Sequence, residues 1–190
     1  MRISRDQSLM VIVDLQAKLL PVIDGGEQAV AEATWLGSLA LELNVPVWFT
    51  EQYPEGLGAS DPRLLERLPT ARRWEKHHFG AHDETDFART LVETGCRQVI
   101  VCGTEAHVCV LQTALGLLEA GYSVYWLVEA CASRRPEEAR LAKERAVSAG
   151  AVAVSADMVA YEWLQRCDTD TFRQVHRGYL KPRSGRNLRF

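Results

Sequence analysis

Three glycines set the rhythm of the C-terminal half of this chain. LVETG ends at Gly95, LLEAG at Gly121 and AVSAG at Gly150. Each closes a stretch of helical character, because a left-handed residue at a helix end costs glycine least. Each is followed by a β-rich run: QVIVC, YSVYWLV and AVAV. The glycines stand 26 and 29 residues apart. That is the length of a strand–helix unit, and successive units of this kind build a parallel sheet. Pro136, with Glu137 and Glu138 behind it, opens the helix that ends before Gly150.

The N-terminal half repeats the scheme. A buried-strand run at Leu9–Val13 leads to a helix from about Glu27 to Leu43, then a strand over Val45–Thr50. The turn-rich EQYPEGLGASDP follows, with a short helix near Arg63–Leu68 and a strand around Ala71–Glu75. A last helix covers Asp157–Gln165. Strands alternating with helices throughout predict an α/β fold: a Rossmann-like three-layer sandwich, with a six-stranded parallel sheet and helices on both faces. The chain has 190 residues, 47% of them hydrophobic, which suits one domain spanning 1–190 with a sizeable core. No domain boundary or low-complexity segment interrupts it.

Composition removes several function classes. The net charge of −3 gives no reason to expect nucleic acid as a partner. Arg177–Phe190 carries five basic and no acidic residues, and it reads as the end of a basic tail (about 167–190), solvated or spanning to another subunit. Five cysteines (96, 102, 109, 131 and 167) without CxxC spacing fit a reduced cytoplasmic protein better than a disulfide scaffold or zinc ribbon. MRISRDQS has no apolar signal core, and no run is long enough to span a membrane. GLG at Gly56–Gly58 lacks the third glycine and the strand-to-helix junction of a dinucleotide fingerprint. No P-loop or GxSxG elbow occurs, so no cofactor is expected.

Chemistry concentrates around Cys109. The strand QVIVC ends at Cys102, Gly103 breaks it, and a helix follows with apolar positions at Val108, Leu111, Leu115 and Leu118. Cys109 therefore falls in the first helical turn at the carboxyl end of a parallel strand, the edge where open α/β sheets bind ligands. A helix N-terminus favours thiolate over thiol there. Asp14 follows the strand Leu9–Val13, and Lys76 follows Arg72–Glu75. Parallel strands bring all three to one rim. The lysine is expected to hold a thiolate, and the aspartate to shuttle the proton that a leaving amine needs.

VIVDLQ, TEQYPEGLG, Lys76 ahead of HHFGAH, and VCGTEAHVCVLQTALGLLEAGYSVY together resemble the isochorismatase-like cysteine hydrolases, over about Leu9 to Leu164. The resemblance implies a catalytic triad of Asp14, Lys76 and Cys109. It also implies a cis peptide between Thr104 and Glu105, and an oxyanion hole from the backbone N–H groups of Glu105 and Cys109. It implies cleavage of a small amide-like C–N bond through a thioester on Cys109, by a cofactor-independent homo-oligomer. Gln16, Gln52, Phe79 and His107 are the candidate substrate-binding residues. Gln16 either orients Asp14 or faces solvent.

Alternative readings stand beside these. His77, His78, His82 and Asp83 form a potential metal cluster, but they lie in a loop with no helix to set their spacing. Metal-binding relatives place Asp-x-His after the second strand, where this chain has Thr50, Glu51, Gln52, Tyr53 and Pro54; no metal is expected. Glu129 stands where many relatives have aspartate, and MVAYEWL (158–164) resembles a bacterial branch with poorly defined substrates. Vinyl-ether hydrolysis of an isochorismate-type substrate is one rival function; a catalytically idle oligomeric interaction module is the other.

Overall fold

The computed structural model describes residues 2–190. Its six strands are β1 (Ser8–Val13), β2 (Val47–Gln52), β3 (Arg72–Lys76), β4 (Gln98–Gly103), β5 (Ser123–Cys131) and β6 (Val152–Val154). They form one sheet in the order β3-β2-β1-β4-β5-β6, with every pairing parallel. The helices are α1 (Gly26–Glu42), α2 (Pro54–Leu57), α3 (Pro62–Arg67), α4 (Thr85–Glu93), α5 (Leu111–Glu119), α6 (Pro136–Ser148), α7 (Ala156–Leu164), α8 (Asp170–Val175) and α9 (Lys181–Arg183). The strand order reverses direction at β1, so β1 and β4 flank the crevice where such sheets place their ligands.

β1 and β4 are buried along their whole length, which explains their continuous apolar runs. One face of the sheet packs Met10, Ile12, Phe49, Ile100 and Leu127 against α1, α3 and α7. The other packs Leu9, Val11, Val13, Val99, Val101 and Trp126 against α4, α5 and α6. At the exposed β3 edge, Arg72 lies over Trp74, 4.0 Å from the ring centroid, and the charged Arg72, Arg73 and Glu75 discourage pairing with another chain.

Gly103 fixes how closely the two central strands meet. Its φ is +129°, and a Cβ there would lie 1.9 Å from the Val13 carbonyl oxygen. Only glycine permits this approach. It lets Thr104 N–H donate to Val13 O at 2.9 Å and Thr104 Oγ1 to Asp14 O at 2.7 Å. The loop carrying Cys109 is thereby tied to the end of β1.

The C-terminal segment departs from the solvated or subunit-spanning tail expected of it. Val175 and Leu180 join the core on the α1 face. Arg183 is buried against two buried carboxylates, bonding Glu32 through Nη1 and Glu129 Oε1 through Nη2 at 3.1 Å. It also lies over Trp35, 4.3 Å from the ring centroid. Arg186 adds a second contact to Glu32 at 3.0 Å. Counting charge along the segment misses this, because its acidic partners belong to α1, β5 and α7. Glu129 is thus engaged with the C-terminal segment and with Ala156 N–H. Burial and the neighbouring Glu32 raise its carboxyl above the ordinary range, against hydrogen bonding and Arg183.

Candidate active site

Asp14 leaves β1 in a left-handed conformation, φ +48°, and its side chain is fully buried. A non-glycine residue in that region is sustained by its surroundings. Here Asp14 N–H donates to Thr50 O at 3.1 Å, and Thr50 Oγ1 donates to Asp14 Oδ1 at 2.6 Å. The other oxygen, Oδ2, meets Lys76 Nζ at 2.8 Å.

Lys76 is the last residue of β3 and is 1% exposed. A buried ammonium needs acceptors in all directions. Besides Asp14, Lys76 Nζ donates to Gln52 Oε1 at 2.6 Å, Phe79 O at 3.0 Å and His78 O at 3.3 Å. Gln52 has its amide orientation fixed by this: Oε1 faces the ammonium while Nε2 donates to His77 O at 3.0 Å. Cys109 Sγ lies 4.0 Å from the same Gln52 oxygen. Asp14, Lys76, Gln52 and Cys109 therefore form one cluster at the carboxyl edge of β1–β4.

Two features of Cys109 differ from expectation. The turn that carries it, Ala106–Val110, is π-helical, and α5 proper begins at Leu111. Its wide hydrogen bond runs from Val110 N–H to Glu105 O at 3.2 Å; such turns recur at functional sites. The surroundings also act, on balance, against ionisation of the thiol. Burial pushes it up to about 12, the Asp14 carboxylate adds to the rise, and Lys76 opposes it. Burial and the nearby anion together exceed the help from the ammonium and the helix end.

The Thr104–Glu105 peptide bond is cis. Among the described residues, the Glu105 N–H donates to no protein oxygen and the Cys109 N–H makes no bond outside its own turn. The Glu105 carboxylate points elsewhere: it accepts from Arg134 Nε at 2.7 Å and Arg134 N–H at 3.3 Å.

The other candidates are placed as follows. Gln16 is fully buried, out of contact with solvent. Its Oε1 accepts Gln52 N–H at 2.9 Å, and its Nε2 donates to Gln52 O at 3.0 Å and Gly58 O at 2.6 Å. It braces the end of β2 and does not face solvent, and its own N–H donates to Asp14 O at 2.8 Å. The Phe79 ring is exposed, and its backbone carbonyl accepts from Lys76 Nζ. The His107 ring bonds Ser133 Oγ at 2.9 Å and Glu138 Oε2 at 3.1 Å. Those partners stand after β5 and on α6, apart from the Asp14–Lys76 pair.

The loop histidines disperse. His77 faces the Tyr53 ring, His82 faces Tyr122, and His78 bonds Glu84. Among the described residues no three His, Cys, Asp or Glu side chains are gathered to hold a metal ion. A cavity of about 540 Å³ opens beyond β5, between α1 and α6, and none of Asp14, Lys76 or Cys109 lines it.

Sequence reasoning missed Thr50, Glu84 and Arg134. Thr50 had a signal, since it is the register partner of Val13 across β1 and β2 and so stands beside Asp14. Glu84 and Arg134 had none: Glu84 acts from a loop on the backbone of His77 and His78, and Arg134 acts from a loop on the distant Glu105 side chain.

The chain is an open, all-parallel α/β sheet with Asp14, Lys76 and Cys109 gathered at its carboxyl edge. The isochorismatase domain model matches residues 8–158, and the chain belongs to the isochorismatase family of hydrolases. Isochorismatase domain-containing protein 2A of Mus musculus is 30% identical over 183 residues, which cover 95% of this chain and 86% of that protein. The MAR1 ribonuclease structure from Caenorhabditis elegans superimposes with a TM-score of 0.87 at 31% identity, covering 93% of this chain and 91% of that one. The ycaC gene product of Escherichia coli, an octameric hydrolase of unknown specificity, superimposes with a TM-score of 0.86 at 25% identity, covering 95% and 92% of the two chains.

Proposed function

We propose that the protein is a cysteine hydrolase that cleaves a small amide-like C–N bond through a thioester on Cys109, with Asp14 and Lys76 completing its triad. The observation that carries this reading is the buried Asp14–Lys76 contact of 2.8 Å next to a cysteine whose thiol both charges influence. A buried charge pair beside a nucleophile in a cleft is the arrangement that proton transfer requires.

The proton passes from Sγ to Asp14 as Sγ attacks the substrate carbonyl carbon, in keeping with a thiol that burial and Asp14 both raise. Oxyanion charge then falls to the N–H groups of Glu105 and Cys109, an effect worth about 3 kcal/mol for a well-placed donor. Collapse breaks the C–N bond, and Asp14 returns the proton to the leaving nitrogen. Water attacks the thioester carbonyl and gives its proton to Asp14. The C–S bond breaks, and Sγ takes that proton back. Lys76 holds its positive charge in place throughout. Gln52 Oε1, fixed as an acceptor, is the polar contact for substrate, and the exposed Phe79 ring borders the entrance.

No metal or other cofactor enters this scheme. The octameric Escherichia coli neighbour supports a homo-oligomer. All five cysteines are free, which supports a reducing, cytoplasmic setting. Among the described residues no helix is long and apolar enough to cross a membrane. The test is a panel of small amides with released ammonia or amine as the readout, run on the parent and on Cys109→Ala. Turnover of at least one amide that Cys109→Ala lacks supports the reading; equal turnover by both proteins overturns it.

A further inference from the structure

Lys76 owes its position to more than its strand. Two of its four oxygen contacts are backbone carbonyls, of His78 and Phe79, in the loop that leaves β3. For both to face one ammonium, the loop must turn back on itself. The two N–H groups just ahead of these carbonyls, of His77 and His78, converge on a single acceptor. Glu84 Oε1 takes His77 N–H at 2.7 Å, His78 N–H at 2.9 Å and the His78 ring Nδ1 at 3.0 Å.

We propose that Glu84 is a positioning residue for the active site: by gathering the N–H groups of His77 and His78, it folds the loop so that its carbonyls cage the Lys76 ammonium. The inference rests on the catalytic role given above to Lys76 and Cys109. It also gives the His78 ring a role, as a third donor to Glu84. Glu84 itself stands just ahead of α4 and caps none of its N–H groups, so its carboxylate is free for the loop.

Supporting this, the Glu84 carboxyl lies below its ordinary range. Burial opposes ionisation, and the bonds from His78 and His77 outweigh it. The acceptor is therefore ionised at neutral pH and bonded to the loop as a charged group, the stronger kind of hydrogen bond.

The chain of effects is specific. Without Glu84 the loop relaxes, and the buried ammonium loses two of its acceptors. Its counterweight to the burial and the Asp14 charge that raise the Cys109 thiol then weakens. A role confined to stability would lower the melting temperature and leave Cys109 chemistry alone.

The experiment follows carboxamidomethylation of Cys109 by iodoacetamide across pH 7 to 10, by peptide mass mapping. It is done on the parent, Lys76→Ala, Glu84→Ala and Glu84→Gln, each first checked for folding by thermal melting. Lys76→Ala should slow Cys109 alkylation by about tenfold at a given pH, equivalent to one pKa unit. Glu84→Ala should slow it in the same direction. Glu84→Gln keeps an acceptor oxygen and should recover most of the loss. Slowing by Lys76→Ala but not by Glu84→Ala overturns the positioning inference alone. No slowing by Lys76→Ala overturns the reading of the site on which it rests. Equal slowing in Glu84→Ala and Glu84→Gln also overturns it, because the acceptor oxygen would then not be what holds the loop.

Discussion

Replacing Asp14 by asparagine should move the reactivity of Cys109 and the turnover of the enzyme in opposite directions. Burial lifts the Cys109 thiol to about 12 from a reference of 9.0, and the Asp14 carboxylate is the second contributor to that rise. The total rise corresponds to about 4 kcal/mol against the thiolate, at 1.36 kcal/mol per unit. Asparagine keeps the shape and can still accept from Thr50 Oγ1, but it removes the anion while Lys76 stays. The thiolate then loses a repulsive neighbour and keeps an attractive one, so the Cys109 pKa should fall by about one unit. At any pH below the transition, alkylation of Cys109 should be about tenfold faster than in the parent. Amide turnover should fall by about 10² to 10⁴, the usual loss when a general acid–base group is removed. Peptide mapping after timed iodoacetamide exposure reads the first quantity, and released ammonia or amine reads the second. Slower alkylation in Asp14→Asn, or retained turnover, would refute the assignment of Asp14 as the proton carrier.

Two further outcomes concern stability. Cys102, Cys109 and Cys131 are all pushed up, in each case chiefly by burial, so their stabilising effect is fully present below about pH 9, where the unfolded chain also holds these protons. Above that pH the unfolded state binds fewer protons than the folded one, and urea titrations should show stability falling by about 1 kcal/mol per pH unit for each buried thiol; an unchanged midpoint between pH 8 and pH 10 would contradict this. Arg183→Ala leaves Glu32 and Glu129 buried without their shared cation and should cost about 3 to 5 kcal/mol, measured by urea unfolding; a loss below 1 kcal/mol would mean that the C-terminal segment is not anchored there.

Much of this architecture was legible in the sequence because it rests on local signals. Gly95, Gly121 and Gly150 mark helix ends, and apolar runs such as LMVIV and QVIVC report strands buried on both faces. The parallel arrangement then carries Asp14, Lys76 and Cys109 to one edge without further information. Gln52 reads as a pocket residue, but the strand expected over Val45–Thr50 runs on to Gln52, and its contact with Lys76 was not legible. What stayed hidden depends on contacts between distant segments. Arg183 reads as one more basic residue near the chain end until it is seen to bridge the buried Glu32 and Glu129. The π turn at Ala106–Val110 has the same apolar spacing as an α-helical start. The thiol state at Cys109 is a balance of burial against two opposing charges, and sequence supplies the charges but not the burial. Gln16 illustrates the limit from the other side: its place after Asp14 was clear, but its bonds to the backbone of Gln52 and Gly58 are not.

The central claim is that an acyl group passes through Cys109. The parent enzyme would be mixed with an amide found to be a substrate, quenched in acid within the first turnovers, and its intact mass and Cys109 peptide measured. The expected result is an adduct equal to the acyl portion of the amide, on Cys109, absent from Cys109→Ala and accumulating as the leaving amine appears. Turnover of the same amide with no adduct at any quench time, together with activity retained in Cys109→Ala, would contradict the thioester account.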